Sequence, residues 1–119
     1  MLVSPAAADA AALRPVQWVS VQAVAGDSTS SGVADFAVTR ERGGFRLIGY
    51  VRADRGCVDL RAVNMHLGTY FSHDSIRRTC RAGQQVQVNA WTHHTDVVLT
   101  AIVDGGPDWD SKIVTLTGG

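Results

Sequence analysis

Three short stretches hold residue types that do chemistry. The first, WTHHTD at 91–96, sets His93 beside His94 between two strand-like runs. Imidazoles ligate zinc or act as general bases. Neighbouring residues on extended backbone point to opposite faces, so these two rings converge on one ion only through special turn geometry. The other candidate ligands are His66, His73, Asp74 and Asp96, and no H-x-H or H-x-x-x-H pair prearranges two imidazoles. A solvated hairpin corner is the expectation. The second stretch, SHDS at 72–75, contains every residue type of a serine-hydrolase triad. Triads assemble from separate elements, and no G-x-S-x-G elbow is present. Asp74 followed by Ser75 reads as a turn or a short helix start. The third, DGGPDWDSK at 104–112, offers Asp104, Asp108 and Asp110 to calcium, but the spacing is not that of an EF-hand. The expectation is a protein that is not an enzyme, with no catalytic residue, no metal site and no cofactor.

Recognition is better represented than reaction. In the run 84–92, Gln85, Gln87, Asn89 and Trp91 share the face opposite Val86, Val88 and Ala90. Amides beside an aromatic ring are the equipment of sugar-binding surfaces, because the ring stacks while the amides bond hydroxyls. In 45–53, Ile48 and Tyr50 lie between Arg46 and Arg52, opposite Phe45 and Leu47. In 96–104 both faces are apolar: Val97, Leu99, Ala101 and Val103 on one, Val98 and Ile102 on the other. A sandwich strand needs only one apolar face, so a loop, the amino-terminal segment or another chain must cover the second. If the two strands share a sheet, Ile48, Tyr50, Val98 and Ile102 form one patch rimmed by Arg46 and Arg52. Aromatic and Arg side chains are favoured in interface hot spots. Trp109, between two aspartates, must fold back over the core or serve a partner.

The elements that position these residues read as strands divided by Gly, Asp, Ser and Pro turns. Period-two alternation marks 16–25, 33–39, 45–53, 57–67, 84–92, 96–104 and 112–117. In 57–67 the apolar phase slips from Val58 and Leu60 to Val63 and Met65, which predicts a bulge near Arg61–Ala62. The stretch 68–80 is the least regular and reads as a short strand or a helical turn. Seven or eight short strands with no amphipathic helix predict an all-β fold. The architecture expected is a single antiparallel β-sandwich, Ig-like or jelly-roll, over 16–119.

Size and charge narrow the functional classes. The 119 residues, 45% of them apolar, suffice for one globular domain. Eleven basic residues balance eleven acidic ones, so the basic footprint of a general nucleic-acid binder is missing. No apolar run is long enough for a membrane-spanning helix. Residues 1–15 read as a flexible Ala-rich arm or as the remnant of a secretory signal, largely trimmed and begun again at Met1. Cys57 and Cys80 fit export, where such a pair forms a disulfide. Closing that loop of about 24 residues stabilises by roughly 3.5 kcal/mol on chain-entropy grounds.

The arm SPAAADAAALRPVQ, the Cys57/Cys80 pair and the all-β pattern resemble the adaptor subunits of secreted antibacterial umbrella-type toxin particles. The resemblance spans the chain in outline and carries no diagnostic residue, so no functional position transfers. It implies an arm and a compact β-domain that connect other proteins. The expectation is a secreted, protein-binding adaptor or inhibitor whose contacts are Arg46, Ile48, Tyr50, Arg52, Val98, Ile102 and Trp109. Its partner is another exported protein, reached in part through the arm. The alternative is a carbohydrate-binding module using Trp91 with Gln85, Gln87 and Asn89.

Overall fold

The computed structural model describes residues 15–66 and 69–119, with the side chains of 65–73 set aside. The readings made for the arm and for the His66, Ser72 and His73 side chains therefore lie outside the described residues. Nine strands follow in order: β1 Gln17–Val24, β2 Ser31–Glu41, β3 Gly44–Arg55, β4 Cys57–His66, β5 Thr69–Thr79, β6 Gln85–Thr92, β7 Asp96–Ile102, β8 Trp109–Asp110 and β9 Val114–Thr115. Among the described residues there is no helix. The strands form two sheets packed face to face. Sheet A has the order β1-β2-β3-β6; sheet B has β5-β4-β7-β8, with β9 also on β7. Every pairing is antiparallel. The chain is an all-β sandwich, as its alternation predicts.

The connections explain the topology. β2 and β3 are joined by Arg42 and Gly43, both at positive φ (54° and 77°), which is the two-residue turn that matches strand twist. β3 and β4 belong to different sheets, as do β6 and β7. The pairs β3/β6 and β4/β7 interleave in sequence, so the chain crosses between the sheets at β3–β4 and again at β6–β7 and locks the two sheets together.

The core lies between the sheets. Val19 and Ala23 of β1, Ala34, Phe36 and Val38 of β2, and Leu47 and Val51 of β3 meet Val58 and Leu60 of β4 and Val97, Leu99 and Ala101 of β7. Each set recurs at alternate positions, which is what places it on one face. The disulfide Cys57–Cys80 closes the open end of the β4–β5 hairpin. At the sandwich edge the Gln17 amide donates to the Thr115 carbonyl (2.8 Å) and accepts from the Thr117 N–H (2.8 Å), tying β1 to the last strand.

The bulge expected near Arg61 is present in the pairing of β4 with β5, between Leu60 and Arg61, with a second register shift between Asn64 and Met65, while β4 runs in unbroken register along β7. Three expectations change. Val63 therefore does not slip to the inner face; it is buried on the outer face of sheet B. Stretch 69–79 is a full strand, hidden from the alternation because it is a bulged edge. The segment at His93–His94 is no hairpin, since β6 and β7 lie in different sheets. It is a corner between sheets, and His94 is buried there rather than solvated.

Candidate functional site

Trp18, Ile48 and Trp91 are exposed on the outer face of sheet A, while Trp109, also exposed, stands on β8 of sheet B. Register fixes their neighbours. One row across the sheet reads Trp18, Ala37, Ile48, Asn89; the next, Ser20, Asp35, Tyr50, Gln87; a third, Gln22, Val33, Arg52, Gln85. Arg46 and Trp91 sit side by side at the opposite flank of the Ile48 row. Trp18 is 76% exposed, Ile48 50% and Trp91 41%. Trp18 and Ile48 stand two strands apart, about 10 Å. The single methyl of Ala37 leaves a shallow floor between them.

Polar contacts hold the rim of this face. Arg46 donates through Nη2 and Nε to the Glu41 carboxylate (2.8 and 3.1 Å), and through Nη1 to Asn89 Oδ1 (3.2 Å). The hydrogen bond from Arg46 holds the Glu41 carboxyl below its ordinary range, and the same contact holds the guanidinium above its own. Trp91 Nε1 donates to the Glu41 carbonyl at 2.7 Å. Its ring lies over Gly44, where a Cβ would fall 2.7 Å from the indole. The Tyr50 hydroxyl donates to Asp35 (3.3 Å), and Arg52 pairs with Asp54 (2.8 Å). The Trp91 ring is thus held by its hydrogen bond and by its contact with Gly44.

The two surfaces read separately from sequence are one surface. Arg46, Ile48, Tyr50 and Arg52 stand on β3, and Gln85, Gln87, Asn89 and Trp91 stand beside them on β6. Trp18 belongs with them and was missed, although the alternation that buries Val19 and Ala23 already turns it to the opposite face. Val98 and Ile102 do not join. Their strand lies in sheet B, so the condition that β3 and β7 share a sheet fails. Val98 is fully buried, and Ile102 is half-buried with its carbonyl accepting from Ser30 Oγ. Trp109 is remote from this face as well; its ring lies against Gly26, so it folds back over the loop after β1.

The chemical stretches come out as follows. His93 and His94 have ring centroids 4.5 Å apart, and His94 Nδ1 lies 3.5 Å from Asp74 and 3.2 Å from Thr92 Oγ1. Ser75 Oγ donates to Asp59, which also accepts from Arg61. Asp108 accepts from the Val103 N–H and Asp110 from Thr100 Oγ1, so these carboxylates serve different segments. Among the described residues no three His, Cys, Asp or Glu side chains are placed to hold a metal ion. No helix of the described residues is long and apolar enough to cross a membrane.

No family model, curated protein or solved structure matches this chain.

Proposed function

We propose that this chain is a non-enzymatic, exported protein-binding module, an adaptor or inhibitor of the kind that serves a secreted toxin assembly. One observation carries the reading: Trp18, Ile48 and Trp91 are exposed together on one continuous sheet face. Such rings desolvate large areas at small entropic cost, and contiguous exposed apolar surface marks interaction sites. The Cys57–Cys80 bond supports export, since such bonds persist in oxidising compartments. The test is affinity for the protein captured from the exported fraction, by calorimetry. Trp18→Ala should weaken it by about 2 kcal/mol and Tyr50→Ala by about 1–2 kcal/mol, with both variants folded. Unchanged affinity in both would remove the face from the interface.

A second reading has its own observation. Gln85, Gln87, Asn89 and Trp91 are all exposed along β6, a strand open on one side. A carbohydrate-binding module uses such a row. Glycan-array binding that disappears in Trp91→Ala would favour it over a protein partner.

A further inference from the structure

Sheet edges β5 and β6 part to form a cleft beside the proposed face. Arg77, Arg78 and Arg81 line one wall; Gln84, Gln85 and Gln87 line the other. All six are exposed. The chain is neutral overall, yet its charges are not evenly matched. Glu41, Asp54 and Asp59 are each engaged by an arginine, and Asp74 by His94. Among the described residues, no carboxylate lies within ion-pair distance of Arg77, Arg78 or Arg81. Three arginines with no described carboxylate in ion-pair distance thus line one cleft of a neutral protein, Arg77 on the Leu60 side of β5 and Arg78 on the Asp59 side.

The walls are also backbone edges. Within the described residues β5 pairs only with β4 and β6 only with β3, so each presents unpaired N–H and C=O groups on its other side. An extended peptide adds to such an edge through its main chain. Gln85 and Gln87 belong both to the cleft and to the outer face of sheet A, so a partner on that face reaches the cleft around β6.

We infer that this cleft receives an acidic, extended segment of the protein partner, its carboxylates on Arg77, Arg78 and Arg81 and its backbone along β6. This rests on the protein-binding reading. Guanidinium forks match carboxylates in two-bonded geometry, which favours Arg over a diffuse positive field.

The test uses fluorescently labelled poly-L-glutamate as the acidic peptide and oligogalacturonate as an acidic glycan, measured by anisotropy on the whole chain. Poly-L-glutamate should bind the wild type and Arg42→Gln equally. Its affinity should fall about tenfold or more in the combined Arg77→Gln, Arg78→Gln, Arg81→Gln variant, and fall again with added salt. A thermal melt checks that the variant is folded, as expected for exposed side chains. Absence of poly-L-glutamate binding, equal binding to wild type and triple variant, or tighter binding of oligogalacturonate lost in that variant would each overturn the inference. Capture of the partner by the Trp18→Ala, Ile48→Ser variant is measured in parallel. Its loss alongside failed poly-L-glutamate binding overturns the cleft alone; its persistence overturns the reading that the partner lies on the outer face of sheet A.

Discussion

The outer faces of the two sheets have opposite fates. On sheet A, Trp18, Ile48 and Trp91 stand in solvent with a polar rim around them. On sheet B, Val63, Val98, Asp59 and Thr100 occupy equivalent outward positions and are buried. Polar groups there are engaged: Asp59 by Ser75 and Arg61, Thr100 by Asp110, Asp96 by Thr95 and Thr115. A buried polar group without a partner costs free energy, and sheet B meets that condition within the chain. Sheet A keeps apolar rings uncovered, which folding alone does not reward. On the proposed function, sheet B's outer face serves stability and sheet A's serves binding.

The sharpest way to break that comparison is one substitution made on each face. Val98→Asp should destabilise by about 4 kcal/mol or more, because a carboxylate would be buried without a partner. Ile48→Asp should cost about 1 kcal/mol, the scale of strand propensity on an exposed face. Urea unfolding measures both, and similar losses would erase the distinction. Removing the staple of sheet B comes next. Cys57→Ser with Cys80→Ser should cost roughly 3.5 kcal/mol from the freed loop of the unfolded chain. A midpoint shift worth under about 1 kcal/mol would show that the bond adds little to the β4–β5 hairpin. Asp59→Ala should cost about 1–2 kcal/mol, since it removes the hydrogen bonds that Ser75 and Arg61 make to a buried carboxylate. Stability unchanged by that substitution would mean the polar network of sheet B is incidental.

The smallest effect separates the faces by pH. The carboxyls of Glu41, bonded by Arg46, and of Asp27, bonded by the Thr29 N–H, are held below their ordinary values. A depressed folded-state value means stability that is present above the unfolded value and lost as pH falls through the folded one. Glu41 should therefore help to hold the rim of sheet A above pH 4.5 and cease to do so as the pH falls below it. Glu41→Gln should flatten part of the acid limb of the stability profile. An unaltered profile would show that the Arg46 contact does not survive in solution.

Much of the fold was legible because alternation is a direct record of burial. Phe36 and Val38, Leu47 and Val51, and Val86 and Val88 all recur at period two, and each run became a strand. β5 was illegible because a bulged edge strand has no regular inner face to record. The pairing of strands across sheets was also hidden. Nothing local in Val97–Ile102 says whether its neighbour is β3 or β4, and that ambiguity put Val98 and Ile102 on the wrong surface. His94 looked solvated for the same reason: three residues between strands fit a hairpin and a corner equally well. Trp18 was readable from its alternation with Val19 but escaped notice beside the more patterned β3 and β6.

On the proposed function, a protein partner lies on the outer face of sheet A. Hydroxyl-radical footprinting of the chain, alone and with its captured partner, tests it at the side chains themselves. Trp18, Ile48 and Trp91 should be readily oxidised in the free chain and protected together in the complex, with Trp109 unchanged. Oxidation of Trp18 and Trp91 at the same rate in both states, with protection elsewhere, would contradict it.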